Sequence, residues 1–154
     1  MLGFLAKIFG SKSERDIKAL QPIVAQINEE YAKLSSLSND EIRNKTIEFK
    51  AVIASALASI DEKINGLRTQ AESPELSLQE KTNLYDEIDA LGKERNVELE
   101  KVLQQLLPQA FAVVKETSRR LSENETLEVT ATEFDRELAT KKNNAKIVGV
   151  KTLS

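Results

Sequence analysis

Side chains able to carry out covalent chemistry are scarce in this sequence, which has no Cys and no His among its 154 residues. That removes disulfides, thiolate nucleophiles, Cys/His zinc sites and imidazole acid–base catalysis together, and it fits a reducing compartment. Gly10-Ser11-Lys12-Ser13 shares residue types with the end of the phosphate-loop pattern G-x-x-x-x-G-K-[ST]. Its order and spacing are wrong, however, and no strand–loop–helix context surrounds it. Carboxylates are abundant, as at Glu29 and Glu30, Asp86 and Glu87, and Glu98 and Glu100. A catalytic carboxylate needs a pocket that shifts its pKa. These lie instead on helix faces expected to be solvated, where charge is the ordinary surface of a coiled coil. A metal site meets the same objection. Lys141, Lys142, Lys146 and Lys151 form a basic stretch without an acid, but no aromatic platform accompanies it, so it reads as a solvated loop and not a nucleic-acid surface. The N-x-T sequons at Asn44 and Asn124 read as chance.

The first dozen residues offer binding rather than catalysis. On a helix, Leu2, Leu5, Ile8 and Phe9 share one face, with Phe4 at its edge and Lys7 opposite. Lys12 and the α-amino group add positive charge, and no acid precedes Glu14. This pattern suits an interfacial helix on anionic lipid. Burial of four or five such side chains supplies roughly 1.5–3 kcal/mol each before ordering costs. Leu2, Phe4, Leu5, Lys7, Ile8, Phe9 and Lys12 are therefore the candidate membrane-binding residues. The same face also suits docking on the chain's own body or on a partner, and local pattern leaves that open. The apolar run is interrupted by Lys7 and is too short to span a bilayer, and no basic stretch precedes it as in a signal peptide.

The elements that would carry these residues are predicted to be mostly α. The chain is 40% hydrophobic and 31% charged, with 5% aromatic residues, five Gly and three Pro, which points to long helices. A net charge of −3 gives no field for nucleic acid. Ile17, Leu20, Val24, Ile27, Tyr31 and Leu34 alternate at three- and four-residue steps and predict a helix over 14–34, with Pro22 kinking it or shifting its start. Ser38 and Glu41 form a capping box that opens a helix of about eight turns, its seam running through Ile42, Thr46, Phe49, Ile53, Ala56, Ile60, Ile64 and Leu67. Ser73-Pro74-Glu75 is a stop. Ser77 and Glu80 then cap a second long helix carrying Leu84, Ile88, Leu91, Leu99, Val102 and Leu106, with Arg95 interrupting the seam. Residues 38–106 thus read as a long antiparallel helical hairpin, coiled-coil-like, with its tip near Pro74.

Pro108 is expected to end that hairpin and to open a separate helix over 108–121, where Ala110, Phe111, Val113, Val114 and Thr117 give a broad apolar face. Beyond Asn124, residues 127–131 and 147–150 alternate like short strands, with a helical turn around 132–138 between them. With no partners for those strands before Ser154, the chain is expected to be truncated.

Three ordered strings carry a resemblance. Ser13-Glu14-Arg15-Asp16-Ile17-Lys18-Ala19-Leu20, then Leu37-Ser38-Asn39-Asp40-Glu41-Ile42-Arg43-Asn44-Lys45-Thr46-Ile47-Glu48-Phe49-Lys50, then Leu107-Pro108-Gln109-Ala110-Phe111-Ala112-Val113-Val114-Lys115-Glu116 together resemble the N-terminal region of the SecA family, the bacterial ATPase motors of preprotein translocation. The match covers residues 1–50 and 106–120, while the stretch around 55–100 reads as an insertion. The resemblance implies an amphipathic interfacial segment over 1–12, a helix over 13–37, the hairpin over 38–106 and the start of the first nucleotide-binding domain over 107–154. It implies partners too: the SecYEG channel and acidic phospholipid for the first segment, and preproteins for the full-length motor. It places the protein in the cytoplasm, peripheral to the inner face of the cell membrane. Phe111, Val113 and Val114 would pack in the edge of the nucleotide-binding domain. ATP and Mg²⁺ belong to the full-length motor. The family's adenine contact and phosphate loop have no matching positions here, so no cofactor and no ATP turnover are expected of these residues. An exposed hairpin seam would favour a homodimer. The competing reading is a stand-alone helical interaction or adaptor module.

Overall fold

Four helices are built from the described residues, which in this computed structural model are 12–143 and 147–149. Leu2, Phe4, Leu5, Lys7, Ile8 and Phe9 lie outside them. Helix α1 spans Lys12–Ala32, α2 Asn39–Ala71, α3 Leu78–Glu123 and α4 Glu133–Lys141. At 1.5 Å per residue, α2 and α3 are about 50 Å and about 70 Å long.

Both long helices start where their capping boxes place them. The Ser38 hydroxyl accepts from the Glu41 N–H at 3.2 Å, and the Glu41 carboxylate accepts the Ser38 N–H at 2.7 Å. Ser77 and Glu80 repeat the arrangement at 3.3 and 2.8 Å. Each pair satisfies two backbone donors that a helix N-terminus otherwise leaves open. The hydroxyl and backbone N–H of the capping serine hold the Glu41 and Glu80 carboxyls below their ordinary pKa.

Helices α2 and α3 lie against each other in opposite directions. Arg120 reaches Asn39, Arg95 reaches Asp61, and Ile88 packs with Ile60 and Ile64, so contacts descend α3 as they ascend α2. Leu67 and Leu91 flank that isoleucine cluster. A second, separate cluster sits at the other end. There Leu34, Ile42 and Ala112 are buried among Ile27, Tyr31, Leu37 and Val113, and α1 packs on α3. The molecule is therefore a base, where α1 and α2 both meet α3, and a two-helix extension beyond it.

The structure departs from the sequence reading at two places. Helix α3 runs straight through Pro108 instead of ending there. The ring removes the bond that Gln104 would accept, but Gln104 is exposed to water. Val102 and Leu106 before the proline and Ala112 after it are all buried, so packing on both sides carries the helix across. Helix α1 contains Pro22 in its interior, in keeping with the helix read over 14–34. Finally, the described residues contain no strand. Residues 127–131 take no regular secondary structure; the Glu128 carbonyl and the Thr130 N–H and carbonyl bond to side chains of α2, and residues 147–149 form no ladder.

Two glycines sit in helix interiors without a packing reason. A Cβ at Gly66 or Gly92 would meet nothing within 4 Å. Alanine there removes backbone freedom from the unfolded chain without a clash. Gly66→Ala and Gly92→Ala are each expected to raise unfolding stability by about 0.5–1 kcal/mol; urea titration of the single and double variants checks both values and their additivity.

Candidate functional site

Of the residues singled out for attachment, Lys12 alone is described. It opens α1 and is exposed. Ile17, Leu20 and Val24 continue from it along one face of α1 and are each at least half exposed, whereas Ile27, Tyr31 and Leu34 on the same seam turn into the base. The seam read as continuous is thus divided: its second half packs on α3, and its first half is open to solvent.

A second open face lies on α3. Leu103, Phe111, Val114 and Leu121 recur at steps close to whole helical turns and so share a stripe, and Phe111 and Val114 are 56% and 63% exposed. Their neighbours Ala112 and Val113 point the other way, into the base cluster. The broad apolar face read in the sequence is therefore split between a packed side and a free one.

Between these faces lies the most buried charge of the described residues. Glu116 is 1% exposed, and its carboxylate accepts from Arg119 at 2.8 and 3.0 Å and from Arg120 Nε at 2.7 Å. Hydrogen bonds from Arg119, reinforced by Arg120, outweigh burial and hold the Glu116 carboxyl at about 2. Arg119 also pairs with Glu123, and its own pKa is raised, chiefly by Glu116. The rest of the Arg120 guanidinium turns to the α1–α2 turn. It donates to the Leu37 carbonyl at 2.6 Å, the Leu34 carbonyl at 3.3 Å and the Asn39 side chain at 2.7 Å. Beside it, Lys115 donates to Asn28 at 2.9 Å and lies 4.3 Å from the centre of the Tyr31 ring.

The extension has its own polar contact. Arg95 donates to both oxygens of Asp61, at 2.5 and 3.2 Å, which lowers the Asp61 pKa and raises that of Arg95. The residue that interrupted the seam is thus answered from the opposite helix. These arginines fix helices; they do not converge on a pocket suited to catalysis. Among the described residues no group of three or more Asp and Glu side chains is placed to hold a metal ion. Gly66 and Gly92 lie inside helices and cannot form a phosphate-cradling loop. No described helix is long and apolar enough to cross a membrane.

Sequences similar to this chain occur in known proteins. The SecA DEAD-like domain family matches residues 5–138. The chain belongs to the SecA family. The protein translocase subunit SecA of Cytophaga hutchinsonii is 52% identical over 150 residues, which are 97% of this chain and 13% of that protein. The SecA of Amoebophilus asiaticus is 46% identical over the same shares, and that of Flavobacterium psychrophilum is 44% identical over 94% of this chain and 13% of its own length. No solved structure matches. The chain therefore spans about an eighth of the SecA proteins it matches. Because these alignments run nearly end to end, helices α2 and α3 lie within SecA sequence and are not peculiar to this chain.

Proposed function

We propose that this chain is the attachment region of a protein-translocation motor. In this reading residues 1–12 bind the SecYEG channel and acidic phospholipid at the inner face of the cell membrane, with the open half of α1 continuing the apolar surface. The α2–α3 pair acts as an accessory coiled-coil-like hairpin. The exposed stripe of Phe111, Val114 and Leu121 is the surface on which the first nucleotide-binding domain of the longer protein packs. ATP turnover with Mg²⁺, and the movement of preproteins that it drives, belong to that longer protein.

The observation that carries the reading is membership of the SecA family over 97% of the chain. The amphipathic sequence of residues 2–9, followed by the exposed Ile17, Leu20 and Val24, supports an interfacial role. Co-flotation with vesicles tests it. Binding is expected to vesicles containing phosphatidylglycerol and to fall at least about tenfold on neutral vesicles or on removal of residues 1–12. Equal flotation of the shortened chain would overturn the lipid role.

A further inference from the structure

The segment that follows α3 is held to the molecule in an unusual way. Helix α4 has no buried residue and makes no packing contact with another described helix. What fixes it is a set of polar bonds from the first turn of α2. The Asn39 amide donates to the Glu128 carbonyl at 3.0 Å. Asp40 accepts the Thr130 N–H at 2.8 Å and the Thr130 hydroxyl at 2.6 Å. Arg43 donates to the Thr130 carbonyl and the Thr132 hydroxyl, each at 3.4 Å, and to Asp135 at 2.9 Å.

Asp135 joins two events. One oxygen accepts the Thr132 N–H and hydroxyl, both at 2.8 Å, closing the capping box that starts α4, and Arg43 lies within 2.8 and 2.9 Å of the two carboxylate oxygens. A helix of nine residues is too short to persist alone in water. The carboxylate that docks the segment is therefore the one that caps the helix, so docking and folding of α4 reinforce each other. Asp40, Arg43, Glu128, Thr130 and Thr132 are exposed and Asn39 and Asp135 only half-buried, so ions and water compete with these bonds.

We propose that residues 128–135 form a releasable strap: docked on Asn39, Asp40 and Arg43 it orders α4 and ties the chain beyond it to the base of the α2–α3 pair, and released it lets α4 unfold and the following chain move independently. Asn39 also links the strap to the interior, since its carbonyl oxygen accepts from Arg120 while its amide reaches Glu128. Docking is thereby read at the same turn that positions α1.

Hydrogen exchange on the chain, with spin labels at Ser118 and Thr140, tests this. The double variant Asp40→Ala/Arg43→Ala is expected to speed exchange over 130–141 by about tenfold or more, since several bonds are lost together. It should also broaden the label–label distance distribution, with exchange around Ile64 and Ile88 unchanged. High salt should move the parent protein the same way, and Lys45→Ala, which removes an ion pair with Glu48 on the same helix, should do neither. Unchanged exchange and distance in the double variant would overturn the strap. So would a parallel rise in exchange around Ile64 and Ile88, which would make the effect general unfolding.

Discussion

Replacing Arg120 by alanine is expected to cost about 3–5 kcal/mol of stability, the usual loss when one member of a buried ion pair is removed. The size follows from what the guanidinium holds. It neutralises Glu116, whose carboxylate is almost wholly enclosed, and it satisfies the Leu34 and Leu37 carbonyls at the end of α1. Arg119 still faces Glu116 in the variant, but it is partly exposed and shared with Glu123, so it compensates in part. Urea unfolding of Arg120→Ala, Glu116→Gln and the double variant measures the coupling. The double variant should cost less than the sum of the two singles, because each single strands the other partner. Additive losses would mean that the two side chains act separately.

The same node sets a pH dependence. The folded-state carboxyl of Glu116 is depressed from 4.5 to about 2. A depressed carboxyl binds protons less readily in the folded state, so its contribution is complete above about 4.5 and is lost as pH falls toward 2. The stability difference between the parent protein and Glu116→Gln should therefore shrink across that window and stay constant from pH 5 to 8.

Local signals mark helix starts but not helix partners. Ser38 with Glu41 and Ser77 with Glu80 act within four residues, so their chemistry is complete in the string itself, and both appear as read. Pro108 was misleading for the converse reason. Its local effect is to break a helix, while the packing that overrides it comes from residues far away in sequence. Leu127-Glu128-Val129-Thr130-Ala131 alternates as a strand would, but a strand is defined by its neighbour, and the neighbour here is the first turn of α2. Glu116 and Arg120, four residues apart on one helix, were a legible pair. That they close on the α1–α2 turn was not legible, because nothing in their spacing names Leu34 or Leu37. The candidate attachment residues were read from amphipathic pattern and family resemblance, and of these the structure places only Lys12.

Ile64→Ala is expected to cost about 2–5 kcal/mol, as deletion of a buried aliphatic side chain does, and the loss should be confined to the extension. Ile64 packs with Ile60 and Ile88, with Leu67 and Leu91 around them, and none of these touches the cluster of Leu34, Ile42 and Ala112. Beyond that cluster the outer part of the pair is held by the ion pair of Asp61 with Arg95 and by buried Ala71 near the tip, while Leu57, Val102 and Leu106 are buried closer to the base. Opening there exposes no side chain of the base, so the extension can fray below the global unfolding energy. Hydrogen exchange should accordingly quicken over 60–67 and 84–91 in Ile64→Ala and stay unchanged over 112–116. Leu34→Ala should give the reverse pattern. Helix α3 runs through both regions, which makes the comparison sharp. If backbone continuity along α3 were enough to unite them, either substitution would accelerate exchange in both places, and the two clusters would be one cooperative unit.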